Sequence, residues 1–329
     1  MSEFEALNPK IERNQPPCNL RILVVCSGNR GEASPFIREQ ADQLVKAGCV
    51  LEFFLIKGKG WMGYLKNRRA LIKKIQEFEP DIVHAHSGMS ALLAGTQRMV
   101  PVVATFHGSD VYVPKLRAFT RIAVRLSKAQ VTVSAEMKQI LGNDSIHVIP
   151  CAVDTSLFYP TDQLKAKLEL GWSIDDHYIL FSSAFDNPVK NAALAREAVD
   201  ALKDPKVHLV ELKGRSRKEV AQMMNACDVA LMTSFNEGSS QFLKEAMACD
   251  TPVVSTRVGI VANVKSDLPG LFLVDYKTAE VAEALRKAID FSLSKSRTNG
   301  PAFIMEGGLT PESVTEKLLF LFRSLIRRD

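Results

Sequence analysis

Two glutamates, Glu237 and Glu245, stand with seven residues between them in the segment Asn236-Glu237-Gly238-Ser239-Ser240-Gln241-Phe242-Leu243-Lys244-Glu245-Ala246-Met247-Ala248. The run before them, Asp228 to Ser234 (D-V-A-L-M-T-S), reads as a short buried strand, and Phe242 to Ala248 has helical spacing. A strand, a loop and a helix start would then present the N–H groups of Gly238, Ser239 and Ser240 with the positive end of the helix dipole behind them, which suits a phosphate. Glu245 lies about six helical steps further on, a rise of roughly 9 Å. One carboxylate could meet a sugar at one end of a pyrophosphate and the other a ribose at the far end. Each hydrogen bond from a sugar hydroxyl to an ionised carboxylate contributes about 1.5–3 kcal/mol. The competing reading of an isolated pair is a helix cap at Glu237 and a solvated surface acid at Glu245.

Other residues that could do chemistry sit on loops. Gly28, Arg30 and Gly31 follow the apolar run Leu20 to Cys26, where the backbone can approach a diphosphate or an acceptor. Their spacing, S-G-N-R-G, is not the G-x-G-x-x-G of nicotinamide sites. His107 follows an apolar run and precedes a glycine, which places it on a strand-end loop. His84 and His86 point to one side of a strand but lack a suitably spaced acidic partner, so they are read as packing or lining residues. Six cysteines without C-x-x-C spacing suggest neither a zinc site nor a disulfide framework.

The elements that position these residues alternate regularly. Apolar runs at Leu20 to Cys26, Val50 to Ile56, Ile82 to Ala85, Val102 to Phe106, Val131 to Ser134 and His147 to Ile149 are separated by helix-length segments. The rhythm restarts at Tyr178 to Ser182 and continues through Val207 to Leu212, Val229 to Thr233, Pro252 to Ser255 and Leu271 to Val274. This predicts two doubly wound parallel sheets joined by Cys151 to Thr161, with their strand-end loops facing a shared central cleft. The expected divisions are a polar tail over 1–18, an N-terminal Rossmann-like domain over 19–158 and a C-terminal one over 159–329. Thr310-Pro311-Glu312 is a helix start; the helix over about 310–328, with Val314, Leu318, Leu321, Phe322 and Leu325 on one face, is expected either to return to the first domain or to stay with the second.

Several landmarks together resemble the retaining GT-B glycosyltransferases of family 4, the glycosyl transferases of group 1. The segment Glu237-Gly238, Glu245-Ala246-Met247-Ala248 and Thr251-Pro252-Val253-Val254 fits the family pattern, with Ser239-Ser240 and Asp250 replacing its usual residues. Pro80 to His86, Thr105 to Asp110, Val133-Ser134 and Val148 to Asp154 followed by Phe158 occur in the family's order. The resemblance implies a GT-B fold, a nucleotide-diphosphate sugar donor, retention at the anomeric carbon and no metal or other cofactor. It places His107 and Glu237 near the sugar, Lys190 on the diphosphate as a charge that stabilises the leaving group, and Glu245 on the ribose. The family's arginine upstream of that lysine is absent from Ser182-Ser183-Ala184-Phe185, and Asn187 or Arg215 are the candidates to replace it. A sugar-nucleotide-binding subunit with little activity and a hydrolysing epimerase are the alternatives on the same fold.

Composition fits a large protein without membrane spans: 46 % of the 329 residues are hydrophobic and 24 % charged, with no run of eighteen apolar residues. The start M-S-E-F-E-A-L lacks a basic region followed by an apolar core, so a cytoplasmic protein is expected. Residues 1–158 carry 20 Lys and Arg against 14 Asp and Glu, and residues 159–329 carry 22 against 23. The excess gathers at Lys66, Arg68, Arg69, Lys73 and Lys74 and at Arg117, Arg121, Arg125 and Lys128. These are either solvated helix faces or a contact with the anionic inner face of a membrane that carries a lipid-linked or glycan acceptor. No module or aromatic pattern for nucleic acid accompanies them.

Overall fold

The computed structural model describes residues 19–259, 268–294, 296 and 298–326. The expected polar tail over 1–18 and the last residues of the expected terminal helix lie outside the described residues. The chain divides into two compact units, one of residues 1–152 with 311–329 and one of residues 153–310.

The first unit is built on a six-stranded parallel sheet in the order β2-β1-β3-β4-β5-β6. Its strands are β1 (Arg21–Ser27), β2 (Val50–Ile56), β3 (Ile82–His86), β4 (Val102–Phe106), β5 (Ala129–Thr132) and β6 (His147–Val148). Helices cover both faces, which is why the strands are apolar on both sides. On β1, Ile22, Val24 and Cys26 enter one core and Leu23 and Val25 the other, as the period of two requires. The order reverses between β1 and β3, so the loops after these strands diverge and leave a crevice at their carboxyl ends. The terminal helix α14 (Pro311–Ile326) belongs to this unit, with Val314, Leu318, Leu321 and Phe322 buried beside Ile22 and Val24.

The second unit carries a five-stranded parallel sheet in the order β11-β10-β9-β7-β8, formed by β7 (His177–Phe181), β8 (Val207–Val210), β9 (Val229–Met232), β10 (Val253–Thr256) and β11 (Leu271–Val274). Its order reverses between β7 and β9. The boundary falls six residues earlier than the sequence pattern placed it: Val153 and Phe158 are buried in the core of this unit with Leu180 and Leu243. Among the described residues no helix is long and apolar enough to cross a membrane.

Candidate functional site

The reversal point of the second sheet brings two predicted residues together. After β7, Asn187 starts a short 3-10 turn, its side-chain oxygen accepting from the Val189 amide at 3.2 Å. That turn presents Lys190, whose Nζ donates to Glu237 Oε1 at 2.5 Å from the loop after β9. The two loops are tied by backbone contacts as well. Thr233 Oγ1 meets the carbonyls of Lys190 and Asn191, each at 2.9 Å, and the Phe235 amide donates to the Val189 carbonyl at 3.0 Å. From the β10 side, Thr256 Oγ1 donates to the Ser234 carbonyl at 2.8 Å, and Tyr276 holds the same carbonyl at 2.9 Å.

The loop ends at helix α11 (Gln241–Ala248), whose N-cap Ser240 has a left-handed backbone at φ 41°. Gly238, Ser239 and Ser240 are all buried. Among the described residues no acceptor meets their three backbone N–H groups, and the Ser240 hydroxyl, 3 % exposed, has no partner either. Buried donors of this kind are costly unless something accepts from them. The hydroxyls of Ser182, after β7, and Ser234, after β9, are buried in the same condition. The Glu237 carboxylate is turned to Lys190.

Glu245 is not a solvated acid. It is 3 % exposed and its Oε1 lies 2.7 Å from Nη1 of Arg217. Burial pushes its carboxyl upward, and Arg217 and Gln241 pull it back. Arg217 opens helix α10 (Arg217–Ala226) directly after its N-cap Ser216, which forms a capping box with Glu219, and its guanidinium stacks on Phe158 at 4.6 Å. Sequence reading missed Arg217, and it missed Gly259, which packs so closely on the loop that an added Cβ would sit 2.2 Å from Ser240 Oγ and 3.0 Å from Glu237 Cβ. Asn187 has its side-chain oxygen committed to the turn, and Arg215 is an exposed partner of Glu219 at 3.4 Å.

In the first unit, the close approach expected of Gly28 is made to its own sheet: its amide donates to the Ile56 carbonyl at 2.8 Å, and a Cβ would lie 2.7 Å from Leu55 Cβ. Gly28 therefore extends the β1–β2 ladder. Gly31 needs its φ of 92° for the turn, and Arg30 is exposed beside it. His107 follows β4 and is fixed from below by Asp110, whose carboxylate accepts from the amides of His107 at 3.2 Å, Gly108 at 2.9 Å and Gly88 at 3.2 Å. His107 Nε2 shares a hydrogen bond of 2.9 Å with His86 Nδ1, and His107 Nδ1 lies 3.9 Å from Cys151 Sγ. His84 Nε2 bonds Thr105 Oγ1 at 2.8 Å, and its ring meets the edge of Phe322. Burial lowers all three imidazoles, His107 to about 4 and His84 to about 3, so each is neutral at pH 7. Among the described residues no group of three His, Cys, Asp or Glu is arranged to hold a metal ion.

Two family models match the chain: Glycosyltransferase Family 4 over residues 21–157 and Glycosyl transferases group 1 over residues 186–290. A D-inositol 3-phosphate glycosyltransferase of Stackebrandtia nassauensis is 26 % identical over 310 residues, which span 75 % of this chain and 69 % of the relative. Among solved structures, a sucrose-phosphate synthase from Thermosynechococcus elongatus superposes with a TM-score of 0.78 at 16 % identity, covering 94 % of this chain and 99 % of the other. Anabaena HepE in complex with UDP-glucose superposes with a TM-score of 0.74 at 16 % identity, covering 93 % and 100 %. These superpositions match the chain to GT-B glycosyltransferase structures, with two parallel-sheet α/β domains.

Proposed function

Because this chain belongs to glycosyltransferase family 4, the glycosyl transferases of group 1, we propose that it transfers a hexose-type sugar from a nucleotide-diphosphate donor to a hydroxyl acceptor with retention at the anomeric carbon. The observation that carries the donor site is the set of buried donors at the start of α11, the amides of Gly238, Ser239 and Ser240 with the Ser240 hydroxyl. An oxyanion is the ligand that would take all of them, with the helix dipole adding to the attraction.

In this reading the diphosphate lies against that loop and against Lys190. Glu237 accepts from the sugar hydroxyls, and Glu245, held by Arg217, serves the ribose. The bond from the anomeric carbon to the diphosphate oxygen breaks while the bond to the acceptor oxygen forms on the same face. The acceptor proton passes to a diphosphate oxygen, so no covalent nucleophile is assigned. Lys190 and the helix start supply the positive charge that stabilises the departing diphosphate. Turnover in this scheme persists in the presence of a chelator.

The acceptor belongs to the first unit in this proposal, and a glycan or lipid-linked hydroxyl, as in the synthesis of cell-surface polysaccharide or glycolipid, is the class that its basic surface favours. Arg121, Arg125 and Lys128 are exposed around Ile122, itself 45 % exposed, a combination suited to anionic lipid. Arg117 is not part of that face, because its guanidinium caps the carbonyls of Val111 at 2.7 Å and Tyr112 at 3.1 Å.

Thermal stabilisation of the wild type and of Lys190→Ala by a panel of uridine, guanosine and adenosine diphosphate sugars tests the donor site. The expected result is a shift with one nucleotide class that is lost in Lys190→Ala. A folded wild type that shifts with none of them would contradict the proposal.

A further inference from the structure

The loop after β7 lacks an arginine; of the two residues that could replace it, Asn187 has its side-chain oxygen in the turn and Arg215 pairs at the surface with Glu219. A different cation lies at the loop itself. Lys244, on the first full turn of α11, is 0 % exposed, and its Nζ donates to Ser239 Oγ at 2.8 Å. Helical side chains lean toward the helix N-terminus, so a lysine at this position carries its ammonium back beneath the loop rather than out to water. The charge then stands at the positive end of the α11 dipole. That is the wrong sign for the helix and the right sign for an anion in front of it. Desolvating an ammonium is unfavourable, and the Ser239 hydroxyl is one of the partners that offset it.

Resting on the donor-site reading above, we propose that Lys244 is the positioning residue that replaces the absent arginine: its buried ammonium, acting through Ser239, sets the loop's affinity for the second phosphate of a nucleoside diphosphate. The chemistry is specific. Ser239 Oγ accepts from Lys244, which leaves its own O–H as a donor, and among the described residues no acceptor meets it. A hydroxyl that accepts from an ammonium is a stronger donor. Ser239 thus joins the three amides in offering hydrogen to a phosphate, with a full charge behind it.

The test is equilibrium binding of uridine, UMP and UDP, with the guanosine and adenosine series in parallel, to the full chain and to Lys244→Met, Ser239→Ala and the double variant. Methionine keeps the length and apolar bulk of the stem. The expected result is a loss of about tenfold or more in diphosphate affinity for Lys244→Met, with nucleoside affinity unchanged and a weaker dependence on salt. Ser239→Ala loses part of the same preference, and the double variant loses no more than Lys244→Met alone. A folded Lys244→Met that keeps the wild-type ratio of diphosphate to nucleoside affinity overturns the proposal, as does equal weakening for all three ligands, which marks a merely structural lysine. If Lys244→Met does not fold, an unchanged ratio in Ser239→Ala overturns it. A wild type that binds no series removes the donor site itself and the proposal with it.

Discussion

Arg217 and Glu245 form a pair whose value depends on both members being present. With Glu245 buried, removing the guanidinium takes away the strongest of the charges that favour its carboxylate, and Arg217→Ala is expected to destabilise the fold by about 3–5 kcal/mol. The double replacement Arg217→Met with Glu245→Gln should cost much less, as a urea-denaturation cycle would read; equal losses would contradict the pairing. Gly259→Ala is expected to weaken nucleotide binding, because the added methyl meets Ser240 and Glu237 and the backbone there is left-handed at φ 63°; a variant with wild-type affinity would show that the loop is not fixed from that side. Glu237 and the loop serines stand out by type and spacing in one short segment, and Lys190 by the resemblance of its own segment to the family pattern. Arg217 does not stand out, since it meets Glu245 only through the packing of α10 on α11. The burial of Lys244 was hidden for the same reason, as a lysine reads as surface in any single-segment pattern.

At the scale of elements, the reversal of strand order between β7 and β9 is what brings the Lys190 turn to the Glu237 loop. The opposite end of the same strands is held by a buried ion pair: Asp228 accepts from Lys167 Nζ at 3.0 Å and from the Tyr178 amide at 2.8 Å. Asp228→Ala leaves that ammonium buried without its carboxylate and is expected to cost about 3–5 kcal/mol, read as a lower denaturation midpoint; a loss below about 1 kcal/mol, typical of surface pairs, would contradict this account. The strand centres were legible because parallel strands covered on both faces are continuous apolar runs. Their ends were less so. β5 covers Ala129–Thr132 rather than Val131 to Ser134, because Ser134 leaves the strand to accept from the Met137 amide as the N-cap of the next helix. The place of α14 was left open by its amphipathic pattern, which shows that a face must be buried but not against which sheet; Phe322 and Leu318 complete the core around Ile22 and Val24.

For the whole molecule, two properties follow from charge. The imidazoles of His84, His86 and His107 are held neutral by burial, while in the unfolded chain they take up protons near pH 6.5. The unfolded state therefore binds more protons below that pH. Stability from these groups is present above about pH 6.5 and falls as pH drops toward about 4, where His107 protonates in the fold. Urea midpoints between pH 7 and pH 5 should decline, and a flat profile would contradict the neutral cluster. The basic surface of the first unit is expected to bring the protein to anionic vesicles in flotation, with release at high salt; equal recovery with zwitterionic vesicles would remove the membrane reading. The central claim, that the loop before α11 receives a diphosphate, is tested most directly by hydrogen exchange along the full chain with and without saturating nucleoside diphosphate. The account predicts strong new protection at the amides of Gly238, Ser239 and Ser240. Unchanged exchange there in a protein that binds the nucleotide, with protection elsewhere, would contradict it.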